Sequence, residues 1–129
     1  MYTPPPEFSV LVGRTIVKID GLSEGSDRVR IECDDGAAFL MVHFPDCCED
    51  VAVEDVCGDV ADLIGSPVLL AEESTNRDEP KPDWSESFTW TFYKLATARG
   101  HVTIRWLGQS NGYYSESVAF VPEGFNRYA

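Results

Sequence analysis

Lysine and arginine are missing from the middle of this chain: none occurs between Arg30 and Arg77, while Asp and Glu recur from Glu32 to Glu73. That half carries most of the formal charge of −12, and so one-signed a field repels exposed phosphate backbones, which disfavours direct binding to DNA or RNA. No apolar run approaches the length of a membrane span. Behind Met1-Tyr2-Thr3 stands Pro4-Pro5-Pro6 rather than an apolar signal segment, so the expectation is a cytoplasmic chain with reduced thiols at Cys33, Cys47, Cys48 and Cys57. The motifs of chemistry are absent too. There is no P-loop, nucleophile elbow or paired-glycine fingerprint, no Cys-x-x-Cys knuckle, and no His-x-Glu with Pro-Cys-x-x-Cys behind it. The expectation is a protein that is not an enzyme.

What is present is alternation. From Ser87 to Phe120, Phe88, Trp90 and Phe92 share one parity against Thr89, Thr91 and Tyr93; Val102, Ile104 and Trp106 alternate with Thr103 and Arg105; Val118 and Phe120 follow. These read as three strands of an antiparallel meander with Phe88, Trp90, Phe92, Val102, Ile104, Trp106, Val118 and Phe120 on one buried side, joined by a tight turn at Ala98-Arg99-Gly100 and a longer loop around Asn111-Gly112. Upstream, Thr15 to Ile19, Arg28 to Cys33, Ala37 to Phe44, Val51 to Val56 and Val68 to Ala71 read as strands, with Asp34-Asp35-Gly36 as a hairpin turn. One short helix is expected, capped by Asp59, carrying Asp62 in its first turn, and ended by Gly65 and Pro67. The fold class is therefore mainly β, an antiparallel β-sandwich or partly closed barrel of about seven strands. Residues 1–129 read as one domain with a loose segment at 1–7, a surface loop at 74–84 and a tail at 122–129, where Phe125 and Tyr128 could pack back.

Three groups of residues are candidates for function. His43, Cys47 and Cys48, with Glu49, offer metal ligands within a short span, so zinc is conceivable, although adjacent cysteines on an extended chain point apart; buried small thiols are the plainer reading. No cofactor is required by any motif. The loop from Gly108 to Ser115 is rich in polar and aromatic groups, and Arg105, Asn111, Tyr113 and Tyr114 could line a pocket for a small, nucleotide-like ligand. Asp46, Glu49, Asp50, Glu54, Asp55, Asp59 and Asp62, if they share a surface, could imitate the charge of a phosphate backbone, and Glu54, Asp55 and Asp59 could instead collect a hard cation. A simply solvated acidic face is the third possibility.

Several words of the chain form a distinctive series: Asp46-Cys47-Cys48-Glu49, Glu54-Asp55, Gly58-Asp59 with Leu63-Ile64-Gly65, Glu72-Glu73, Thr89-Trp90-Thr91-Phe92-Tyr93-Lys94, and Ile104-Arg105-Trp106 through Ser110-Asn111-Gly112-Tyr113-Tyr114-Ser115-Glu116. In these, from His43 to Phe120, the chain resembles a family of small uncharacterised proteins carried by phages and bacterial genomes. The resemblance implies a setting rather than an activity: a phage-type accessory protein inside a bacterial cell. Joined to the acidic middle, it gives the expectation of an inhibitor or modulator that binds a basic, nucleic-acid-handling or defence protein of the host.

Overall fold

The computed structural model describes residues 7–44, 49–76, 87–111 and 115–124. Along the chain run β1 (Ile16–Asp20), β2 (Arg28–Cys33), β3 (Ala38–Val42), β4 (Asp50–Cys57), β5 (Leu70–Asn76), β6 (Ser87–Thr97), β7 (Gly100–Ser110) and β8 (Ala119–Pro122). They form two antiparallel four-stranded sheets, in the orders β1-β2-β3-β8 and β4-β7-β6-β5. The fold class is mainly β, as the alternation requires, and the sheets face each other as a sandwich without closing into a barrel. In the second sheet β5, β6 and β7 follow one another, and β4 lies beside β7, the order of a Greek key.

The core forms where the inward faces meet. Ile16, Val29, Ile31, Phe39 and Met41 come from the first sheet, and Val51, Val53, Tyr93, Leu95, Val102, Ile104 and Trp106 from the second. The Phe8 ring sits edge-on to Tyr93 and to Phe120, with centroids at 4.7 and 5.1 Å, a favoured geometry for aromatic pairs. Asp34-Asp35-Gly36 turns the chain from β2 to β3: Gly36 takes a φ of 87°, and the Asp35 carboxylate accepts from the Ala37 N–H at 3.0 Å. On the outside of the first sheet Arg30 binds both Glu32 and Glu123, and its guanidinium holds the Glu123 carboxyl below the usual carboxylate range.

The sequence expectations need four corrections. First, β6 presents its other parity to the core: Thr91, Tyr93, Leu95 and Thr97 are buried between the sheets, while Phe88, Trp90 and Phe92 lie on the outer face, where Trp90 is buried as expected but beneath Arg105 rather than in the core. Alternation separates two faces, and here both carry large side chains, so the choice is made by β7, whose Ile104 and Trp106 stand opposite Tyr93 and Thr91. Second, the strand at Phe120 does not complete a meander; β8 crosses to the other sheet and pairs with β3, Met41 opposite Phe120. Third, the short helix is a single 3-10 turn at Val60–Leu63, with the Asp59 carboxylate capping the Ala61 N–H at 3.0 Å as its position requires. A second such turn, Phe8–Leu11, precedes β1 and buries Phe8 and Leu11. Fourth, β5 runs on to Asn76, through the start of the expected surface loop, and β7 to Ser110. The rest of that loop from residue 77, the segment 1–6, and Phe125 and Tyr128 of the tail lie outside the described residues.

Candidate functional site

Two carboxylates that composition would assign to the surface are buried at one end of the sandwich. Glu49 precedes β4, and its side chain is 0% exposed against the His43 ring, Nε2 to Oε1 at 2.9 Å. The other ring nitrogen, Nδ1, donates to the Ser117 carbonyl at 2.8 Å. Since a carbonyl can only accept, Nδ1 carries a proton, and the Nε2 contact shares a second proton with the Glu49 carboxyl. Glu116 is likewise buried, accepting from the Thr89 hydroxyl at 2.9 Å and from the Ser110 hydroxyl at 2.5 Å. Gly108 makes room for it, because a Cβ there would collide with the Glu116 backbone. These groups join the first sheet to the second: His43 follows β3, Glu49 leads into β4, and Glu116 leads into β8.

Beside this end a hollow of about 290 Å³ is lined by Asp27, Arg28, Val42, His43, Glu49, Asp50 and Val51. His43 has both nitrogens engaged, so it has none free for a metal, and among the described residues no three His, Cys, Asp or Glu converge as a metal site would need. Cys47 and Cys48, with Asp46, lie outside the described residues. Of the other cysteines Cys33 is buried, its thiol pushed up by desolvation, and Cys57 is exposed; both are free.

The acidic residues do not form one surface. Asp50 and Asp55 are exposed on β4, and Glu54 is half-exposed and held by the Arg105 guanidinium, Nε to Oε2 at 2.6 Å. Asp59 and Asp62 lie past the far end of that strand, whose Cys57 stands about 23 Å from Asp50 at the usual rise per residue. Asp59 is spent on its cap; the Asp62 carbonyl accepts from the Thr97 hydroxyl at 2.5 Å, and its carboxylate lies against Gly100. Glu49 faces inward. In their place come two residues of the β1–β2 loop, Glu24 and Asp27, which reasoning from the sequence missed. That loop lies along β4, with the Gly25 N–H donating to the Val53 carbonyl at 2.7 Å and the Val53 N–H to Ser26 at 2.7 Å, a long-range pairing that no local pattern announces. Glu24, Asp50 and Glu54 thereby border a shallow depression of about 200 Å³ floored by Ala52 and Leu107.

Arg105 also lies 5.1 Å from the Trp90 ring, so it bridges the acidic edge to the outer aromatic face. It does not join Asn111, six positions along the same strand direction and about 20 Å away; Tyr113 and Tyr114 lie outside the described residues. Of the four residues expected to line a ligand pocket, only Arg105 and Asn111 are therefore described, and the two stand apart. Among the described residues no helix is long and apolar enough to cross a membrane. No curated protein and no solved structure matches the chain. Residues 9–120, however, match the model of a domain of unknown function, DUF7448, and the chain belongs to that family.

Proposed function

We propose that the protein is a non-enzymatic binding module that engages a basic partner through the acidic face around β4. One observation carries the reading: Glu24, Asp50 and Glu54 gather around an apolar floor of Ala52 and Leu107, with Asp27 and Asp55 close by. Arg105 neutralises one of these carboxylates; Glu24, Asp27, Asp50 and Asp55 have no ion pair among the described residues. Carboxylates around an apolar floor suit a Lys or Arg side chain, whose aliphatic stem needs the floor and whose head needs the rim. With a net charge of −12, the field over this face would speed encounter with a cationic protein. The resemblance to phage-carried proteins supports, together with the acidic face, a phage-type accessory protein in the bacterial cytoplasm that acts as inhibitor or modulator of a nucleic-acid-handling or defence protein.

The test is the combined variant Glu24→Lys, Asp50→Lys and Asp55→Lys. Glu49 is left alone because it is buried, and Glu54 because Arg105 would be left unpaired. Proteins recovered from host lysate by the parent at about 50 mM salt should fall away at about 300 mM, where screening is short-ranged, and should be lost with the variant while its Tm stays near the parent's. Recovery of the same proteins by both chains would refute the reading.

A further inference from the structure

At the far edge of the second sheet from β4, two strand edges border one cleft. β5 ends the second sheet and β8 ends the first. Ala71 and Glu73 line the cleft from β5, Val118, Ala119 and Phe120 from the β8 side, and Glu7, Phe8 and Ser9 from the N-terminal turn, enclosing about 460 Å³. The chain itself covers the start of this edge: the Gly13 N–H donates to the Val68 carbonyl and the Val68 N–H to the Arg14 carbonyl, both at 2.8 Å. That pairing stops at Val68, beyond which the Phe8–Leu11 turn packs against β5 without a backbone hydrogen bond to it. From Ala71 to Thr75 the side of β5 turned away from β6 has no backbone partner among the described residues, and β8 has none beyond β3.

An open strand edge is a template for another strand, and the chemistry here selects which one. A second copy of this chain would set Glu72 and Glu73 against their own kind, and like charges on adjacent strands repel. The cleft carries Glu7 and Glu73 and no Lys or Arg, beside the apolar surfaces of Phe8, Val118 and Phe120. Tyr93, opposite Glu73 and in ring contact with Phe8, lies buried behind the cleft, where burial and the neighbouring Glu73 carboxylate keep its phenol protonated.

We propose that this cleft binds an extended basic peptide by strand addition to the free edge of β5. Alternate side chains of the added strand point inward, where the half-buried Val118 and the rims of the buried Phe8 and Phe120 rings meet apolar groups, and outward, where Glu72 takes lysine or arginine. The site is on the opposite edge of the sheet from the acidic β4 face and does not depend on it.

The probe is a fluorescein-labelled octapeptide of alternating Val and Lys, with a fully N-methylated counterpart that cannot donate backbone hydrogen bonds and a Val/Glu counterpart. Fluorescence anisotropy at about 150 mM salt should show binding of the Val/Lys peptide alone. Amide hydrogen exchange should show new protection between Ala71 and Thr75. Glu72→Lys should weaken the interaction about tenfold, whereas Asp50→Lys with Asp55→Lys should leave it nearly unchanged, which separates this site from the β4 face. Absence of binding, equal binding of the N-methylated peptide, or protection confined to β4 would each overturn the proposal.

Discussion

Glu49 and Asp50 are neighbours in sequence and opposites in the molecule. The first is fully buried against His43; the second is exposed on the acidic face. The same contrast separates Glu116, enclosed by Thr89 and Ser110, from Asp55, which is exposed and has no ion pair among the described residues. For the first pair the period of an extended chain causes it, since consecutive side chains point to opposite faces and the step from Glu49 into β4 carries a carboxylate from the core side to water. Acidic composition thus conceals two populations. One cross-links the sheets through hydrogen bonds in a low-dielectric setting; the other sets the external field.

The widest separation between these populations should come from His43→Ala. Removing the imidazole leaves the Glu49 carboxyl buried without the partner that shares its proton, and also frees the Ser117 carbonyl. Breaking a buried charged pair from one side costs about 3 to 5 kcal/mol, a loss that urea unfolding monitored by tryptophan fluorescence would resolve. A cost under about 1 kcal/mol, the range of an exposed pair, would mean that the pair is hydrated and that the comparison fails at its strongest point.

Glu116→Ala comes next. It removes the carboxylate that accepts from the half-buried Thr89 and Ser110 hydroxyls and opens space above Gly108. Losing the acceptor of a partly buried donor costs about 1 to 3 kcal/mol, while Thr89→Val combined with Glu116→Ala should recover part of that loss because the Thr89 hydroxyl is removed with its acceptor. Equal instability of the single and double variants in thermal denaturation would show that packing, not hydrogen bonding, holds this end together.

How far each population was legible in the sequence follows from the range of its interactions. The strands, the Asp-Gly turn between β2 and β3, and the Asp59 cap rest on residues within a few positions of one another, and all of them formed. The orientation of β6 did not follow, because Phe88, Trp90 and Phe92 outweigh Tyr93 and Leu95 in bulk and the deciding contacts come from across the sandwich. Glu49 was grouped with the exposed acids for a similar reason: its partner is the lone imidazole six positions before it, and the bond forms only because β3 and β4 end side by side in different sheets. Glu24 joined the β4 face through the backbone of its loop, which leaves no trace in side-chain pattern.

The smallest effect should belong to the exposed members. Asp50→Asn and Asp55→Asn each remove a charge that has no hydrogen-bonded partner among the described residues, on a strand whose inward residues, Val51 and Val53, already secure it. Surface substitutions of this kind stay within about 0.5 kcal/mol. Here the sign should be favourable, since a chain of net charge −12 gains compactness when self-repulsion is reduced, and the gain should shrink as salt screens it. Thermal melts of the two variants in about 20 mM and 500 mM salt would measure both quantities. A loss of stability that persisted at high salt would place Asp50 or Asp55 among the structural carboxylates, with Glu49 and Glu116, and would withdraw it from the binding face.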